Sequence, residues 1–191
     1  GKRDVTLTSA TDSKEYDGKP LKNSEVTVGG DGFVGEEGAT YTVTGTQTLV
    51  GSSENYFAYQ LKEGTKAGNY NIQTSNGTLT VTSRSAKYEI TVVANSGGEK
   101  YNGQEQAVSG FRTTEFTVDG NKYTVEGLSA EAKGTDAGTY PVNVTGTPVV
   151  KDASGNAVTN EFKVNTQNGS LTIGKRDVTL TSATDSKEYD G

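Results

Sequence analysis

The chain has 191 residues, 18 basic against 24 acidic side chains for a formal net charge of −6, and no cysteine, methionine, tryptophan or histidine. Without thiols there is no disulfide framework, thiolate nucleophile or zinc-finger spacing, and without histidine the usual acid–base catalyst near neutral pH and the commonest metal ligand are missing. The acidic balance, with no basic cluster larger than Lys2-Arg3 and its repeat at Lys175-Arg176, disfavours nucleic acid and anionic lipid as partners. No run approaches the roughly 18 apolar residues of a membrane-spanning helix.

Only 30% of the residues are hydrophobic, a balance that by itself leans toward disorder. The apolar residues are mostly β-branched or aromatic, however, and alternate with Thr in short runs. In chain order, Asp4–Ser9 places Val5 and Leu7 on one face and Thr6 and Thr8 on the other, the pattern of a strand with one buried face. Tyr41–Thr44, Tyr56–Leu61, Thr78–Val81, Lys87–Val92, Lys122–Val125, Tyr140–Val144, Glu161–Val164 and Ser170–Ile173 follow. Turn signals separate them: Asp17-Gly18, Gly29–Gly32, Asn76-Gly77, Asn102-Gly103, Asp119-Gly120 and Asn168-Gly169. Asn-Gly and Asp-Gly tolerate the positive φ that tight hairpins demand. No stretch of ten or more residues carries a helical period, and Glu36–Thr40 supplies at most one turn.

Residues Gly1–Gly18 return without a change as Gly174–Gly191, 173 positions on. Self-similarity at a fixed period decides the architecture before any other feature. The chain reads as one complete repeat of a tandem array followed by the opening of the next copy. The repeat divides again. Glu15–Gly18 corresponds to Lys100–Gly103, Gly64–Ile72 to Gly134–Val142, and Gln73–Val81 to Asn165–Ile173. Three landmarks in one order imply two diverged copies of a single fold: a first module over residues 1–85, a second over 86–174, and the first strand of a further copy over 175–191. The linker lies near Ser83–Ala86. The final segment, a strand without its partners, is expected to fray or to pair with a neighbouring chain.

At these landmarks the chain resembles the MBG-type repeats of bacterial surface proteins. The residues that carry the likeness are Val5–Thr8 leading to Tyr16–Gly18, then Gly32–Gly38, Ala67–Ile72 and Asn76–Val81. It spans nearly all of the first module. In the second, the ends and Ala137–Tyr140 match, the middle departs, and Gly32-Phe33-Val34 has no evident counterpart. The resemblance implies secreted or wall-attached proteins built as long adhesin-like stalks, like the high-identity arrays of Gram-positive adhesins, and it carries over no catalytic or binding residue.

Candidate chemistry is sparse. Tyr16 and Tyr101 each end an alternating segment just before a turn; they read as core anchors whose rings pack while the hydroxyl finds a backbone partner, against the sharper reading of a sugar platform. Asp152–Asn156 has oxygen-bearing side chains at alternate positions but lacks the downstream acidic ligand of a calcium loop, and a hairpin turn explains it better. Asp31, Glu36 and Glu37 read as solvated loop charge rather than a weak calcium site. Lys2 with Asn71 and Lys87 with Asn165 are the pairs that an isopeptide crosslink would use, with no acid evident between them. No phosphate-cradling loop or nucleophile elbow is present.

The expectation is therefore a mainly-β chain of two small modules, Ig-like sandwich or β-grasp-like, arranged end to end in a longer array. Its function would be that of an extracellular stalk or spacer, with no enzymatic activity, catalytic residue, cofactor or metal. Its partners would be neighbouring repeats of the same chain, with any host glycan or protein met through another domain, and neither nucleic acid nor membrane. Two rivals stay open: a glycan- or mucin-binding repeat acting by avidity, and a filament subunit that self-associates head to tail by strand exchange.

Overall fold

In the computed structural model, which describes all 191 residues, 54% of the chain lies in strands, and the only helical elements are two single 3₁₀ turns, Ala67–Asn69 and Thr159–Glu161. The chain is mainly β. By packing it falls into two units: residues 1–90 with 115–125 and 149–163, and residues 91–114 with 126–148 and 164–191. The sequence repeat divides the chain by homology and the packing divides it by contact, so the two partitions differ: parts of residues 86–174 group with the first unit.

In the first unit, eight strands come from residues 3–82: β1 (Arg3–Ser9), β2 (Asp12–Glu15), β3 (Val26–Gly30), β4 (Ala39–Val43), β5 (Gly51–Glu54), β6 (Phe57–Leu61), β7 (Tyr70–Ser75) and β8 (Thr78–Thr82). They form the sheets β3–β1–β7 and β2–β8–β5 and the pair β4–β6. The alternation of β1 sends Val5 and Leu7 into a core with Tyr70, closed by Val26, Phe33, Tyr41, Phe57 and Ile72. β1 pairs antiparallel with β3 and parallel with β7, Val5 opposite Ile72. The chain then crosses to the second sheet, where β2 runs parallel to β8.

That crossing corrects the reading of Asn76-Gly77 as a hairpin turn. β7 and β8 do not pair with each other; they belong to different sheets. Gly77 does not have a positive φ. It is glycine because a Cβ there would lie 2.3 Å from the Ala10 carbonyl oxygen. Asn168-Gly169 has the same design, with a Cβ at Gly169 falling 2.1 Å from the Asn95 carbonyl oxygen. A strand that changes sheets leaves backbone groups to be satisfied by other means. Here buried Asn55 donates from Nδ2 to the carbonyls of Ala10 and Asn23, and the Ser9 hydroxyl donates to the Asn55 carbonyl while accepting the Gly77 N–H. Asp119-Gly120, by contrast, is a true two-residue hairpin, with φ of 50° and 80°, joining β11 (Glu115–Val118) to β12 (Asn121–Gly134).

The remaining strands are β9 (Tyr88–Val93), β10 (Gln106–Ser109), β13 (Gly138–Asp152), β14 (Phe162–Gln167) and β15 (Gly169–Ile173). β9 pairs with β14, while β10, β12, β13 and β15, with β11 beside β12, form a sheet that curls into a half-barrel. The short runs expected at Lys122–Val125 and Tyr140–Val144 are parts of strands of 14 and 15 residues. Gly127 and Gly146, both at positive φ, interrupt their alternation, and a Cβ on Gly146 would meet the Gly127 carbonyl at 2.2 Å. Glycine at such a point lets a long strand bend. The core of the second unit is Ala94, Ala130, Val142, Leu171 and Ile173.

The duplicated 18 residues provide an internal control. Val5, Leu7 and Tyr16 are 1%, 0% and 1% exposed, whereas their twins Val178, Leu180 and Tyr189 are 75%, 90% and 96% exposed, and residues 175–191 form no strand. The same sequence is a strand between β3 and β7 and lies outside any strand without them. Leu7→Ala should therefore lower the unfolding free energy by about 2–5 kcal/mol, and Leu180→Ala by less than about 0.5 kcal/mol. Urea denaturation of the two variants checks this, and equal losses would contradict it.

Candidate functional site

Within the first unit, the most elaborate polar arrangement surrounds the linker between β8 and β9. Glu161 ends its 3₁₀ turn with only 3% of its surface exposed. A buried carboxylate needs donors to replace water, and it has two from the linker. The Arg84 backbone N–H donates to Oε1 at 2.7 Å and the Ser83 hydroxyl to Oε2 at 3.2 Å. From the other side, the exposed Glu15 carboxylate accepts both the Ser85 N–H and the Ser85 hydroxyl at 2.8 Å. The Ser85 N–H, then its hydroxyl, hold Glu15 below the usual carboxylate range.

The Arg84 side chain joins the same region. Its Nε donates to the Ala86 carbonyl and one terminal nitrogen to the Tyr16 carbonyl, both at 2.9 Å. The guanidinium lies 3.8 Å from the centre of the Tyr88 ring, a cation–π geometry. The Tyr88 hydroxyl donates to Asp119 at 2.8 Å. Tyr88 and Tyr123 both pack on Phe162, at ring-centroid distances of 5.5 and 4.7 Å.

Tyr16 is 1% exposed and therefore a core anchor. Its hydroxyl does not find a backbone group, as expected from sequence, but the Tyr123 hydroxyl at 3.1 Å, 107 residues away. Burial, then that hydrogen bond, raises the Tyr16 phenol well above its ordinary value. The following Gly18 has φ of +75°, and a Cβ on it would stand 2.5 Å from Asn121 Nδ2 and from the Tyr123 hydroxyl; Asn121 donates to the Asp17 carbonyl. Only glycine meets both demands. A cleft of about 440 Å³ opens beside Tyr16 and Glu161, lined also by Leu49, Val50 and Val158.

The other sequence candidates stay apart from this cluster or from chemistry. Tyr101 is 39% exposed. The Asp152 carboxylate accepts the N–H groups of Ser154 and Asn156 and the Asn156 side-chain amide, so both oxygens serve the hairpin turn. Asp31 accepts the Asp4 N–H, and Glu37 accepts the Tyr70 hydroxyl. Of the proposed crosslink residues, Asn71 donates its amide to the exposed Asp4 carboxylate. Glu161 and Tyr123 were not singled out from sequence; a Glu between Asn160 and Phe162 carries no periodic signal, and its burial arises from the linker that lies over it. The arrangement holds rings, carboxylates and linker amides in fixed positions.

No protein-family model, curated protein or solved structure matches this chain.

Two consequences follow from the linker geometry. Glu161→Ala leaves the Arg84 N–H and the Ser83 hydroxyl without their acceptor, and the loss of stability in urea should be roughly 1–3 kcal/mol. Glu161→Gln keeps one acceptor oxygen and should lose less; wild-type stability in Glu161→Ala would refute this role. Tyr88 is pushed from 10.0 up to about 12 by burial and by the Asp119 hydrogen bond, against the opposing Arg84 charge. The folded chain holds this proton longer than the unfolded one, so the contribution is complete below pH 10 and fades as pH rises toward about 12. Ultraviolet phenolate titration should show a late component that Asp119→Asn shifts to lower pH.

Proposed function

We propose that this chain is a spacer unit of a secreted or wall-attached bacterial surface protein, in which paired β-modules set end to end hold an adhesive head away from the cell. The observation that carries this reading is the hydrogen-bonded linker. Ser83, Arg84 and Ser85 have their hydrogen bonds made by Glu161 and Glu15, and the Arg84 side chain reaches Tyr16, Ala86 and Tyr88. A linker held in this way has few free dihedrals, and stiffness is what a spacer needs from its joints. The exact return of 18 residues adds a second line of support, because quasi-one-dimensional arrays grow by adding units that contact only their neighbours. The likeness to MBG-type repeats points the same way. Within the first module, the sheet order β3–β1–β7, with the first strand central and parallel to β7, favours a β-grasp-like arrangement without its helix over an Ig-like sandwich.

The strand-exchange reading also has an observation in its favour, the exposed Val178 and Leu180. Small-angle scattering on proteins of one, two and three repeats, each over a concentration series, separates the readings. The spacer requires a maximum dimension that grows linearly with copy number and does not depend on concentration. Compact growth would overturn it, and concentration-dependent growth of the single repeat would replace it with strand exchange.

A further inference from the structure

The two modules carry the same two end structures, and only one of the resulting sockets is filled. At the end of the first module, the Tyr16 N–H donates to the Thr82 carbonyl at 2.8 Å and Arg84 donates to the Tyr16 carbonyl at 2.9 Å. At the end of the second, the Tyr101 N–H donates to the Gly174 carbonyl at 2.7 Å and Arg176 donates to the Tyr101 carbonyl at 3.3 Å. Thr82, the last residue of β8, and Gly174, just after β15, stand at corresponding positions, as do Arg84 and Arg176. Each tyrosine is followed two residues on by a glycine at φ +75°, Gly18 and Gly103.

The opposite ends correspond as well. Tyr123 meets Phe162 edge to face at 4.7 Å and 64°, and Phe33 meets Tyr70 edge to face at 5.1 Å and 63°. Phe162 and Tyr70 each follow directly on a 3₁₀ turn and open the strand that pairs with the first strand of their module, β14 with β9 and β7 with β1. Tyr70 therefore corresponds to Phe162 and not, as the likeness of Gly64–Ile72 to Gly134–Val142 implies, to Tyr140. Phe33 is thus the counterpart of Tyr123 that the sequence repeat did not reveal. The Phe162 pair receives Tyr16. Beside Tyr70 there is instead an open cleft of about 510 Å³, lined by Arg3, Val34 and Glu37.

What differs between Tyr16 and Tyr101 is occupancy. Tyr16 is 1% exposed and Tyr101 39%; a Cβ on Gly18 would collide with Asn121 and Tyr123, whereas the nearest atom to one on Gly103 is 4.0 Å away. Tyr101 borders an open apolar cleft of about 500 Å³ with Ala137, Arg176 and Val178.

We propose that the Tyr101 face is a docking surface for the Phe33–Tyr70 end of a second copy of this chain's first module, forming a joint of the kind that Tyr16 makes with Tyr123 and Phe162. Continuity with that observed junction is the main argument, and chain length is the second. From Ile173 to Arg176 is three residue steps, at most ~11 Å. Arg176 is the twin of Arg3, the register partner of Tyr70, so a copy folded onto residues 174–191 brings its Tyr70 to the Tyr101 face. Arg176 then takes the carbonyls corresponding to Gly32 and Asp31 with the two nitrogens that Arg3 uses for them in this structure, Nε and Nη2, and keeps Nη1 on the Tyr101 carbonyl as Arg84 does on that of Tyr16. This proposal rests on the spacer reading for the supply of the second copy.

The test is a protein in which residues 1–173 are followed by the full 191-residue chain. The chain has no cysteine, so spin labels at Lys133→Cys of the first copy and Lys62→Cys of the second report on the joint alone. A narrow distance distribution is expected. Tyr101→Ala in the first copy should broaden it toward that of a flexible linker, and Tyr101→Ala in the second copy, which has no end to meet, should leave it unchanged. Thermal unfolding of the single chain carrying Tyr101→Ala should match wild type, which separates loss of docking from loss of folding. A distribution that is broad from the outset, or indifferent to Tyr101→Ala in the first copy, overturns the joint. Scattering from the same protein distinguishes the two ideas: an extended particle with an indifferent Tyr101 sinks the joint and keeps the spacer, whereas a compact particle sinks the spacer.

Discussion

The first module depends on the position of β1 between β3 and β7. Residues Arg3–Ser9 carry no intrinsic strand signal that residues 176–182 lack, since the two are identical. One is a central strand and the other is not a strand at all. The difference is context: two flanking ladders and a core that closes over Val5 and Leu7. This is a direct instance of β-propensity acting as a fit to a half-buried, paired surface rather than as a property of the segment. The contacts are also far apart in sequence. Arg3 meets Tyr70 and Asp12 meets Leu79, so the module closes only when its first two strands meet its last two, and folding should be governed by that long-range step.

Polar groups decide where the chain is allowed to be irregular. At the sheet crossing, Asn55 and Ser9 replace the ladder with side-chain bonds. At the linker, Glu161 does the same with a charge. Burying a carboxylate is costly unless donors compensate, so the pairing with Arg84 N–H and Ser83 is what makes a carboxylate tolerable there, and it fixes the linker path in return. An apolar residue at 161 would avoid the desolvation cost but would leave the two linker donors free to choose other partners. The carboxylate thus contributes definition of the joint more than raw stability.

Much of the local structure was legible. Alternation located β1, β4, β6, β8, β9, β12, β13, β14 and β15, because a strand with one buried face writes its period into the sequence. Asp119-Gly120 was legible because the two-residue hairpin demands positive φ. The same dipeptide rule failed at Asn76-Gly77 and Asn168-Gly169, where glycine answers a carbonyl 2.3 or 2.1 Å away and not a backbone angle; that demand is set by residues more than 60 positions distant. β2, β3 and β5 escaped because their polar and glycine-rich sequences are carried by their neighbours. The correspondence of Phe33 with Tyr123 escaped because the loops around them differ in length and only the ring geometry is shared.

The parallel pairing of β1 with β7 and of β2 with β8 has a mechanical consequence. A pull along the chain enters the first module at the start of β1 and leaves at the end of β8. β1 runs parallel to β7, and β2 runs parallel to β8. Strands that lie parallel and are drawn from opposite ends slide along each other, so the six register pairs of β1 with β7 and the four of β2 with β8 are loaded together instead of being opened one at a time. Resistance to forced unfolding is a matter of the unfolding barrier, and loading a ladder in parallel raises that barrier above what peeling a hairpin would require. Because β1 and β2 are one continuous segment bent at Ser9–Thr11, both ladders share the load, and the buried Ser9–Asn55 bonds sit at the bend where it passes from one sheet to the other. A fold closed in this way therefore resists forced unfolding when pulled along the chain, which is what the proposed spacer would require.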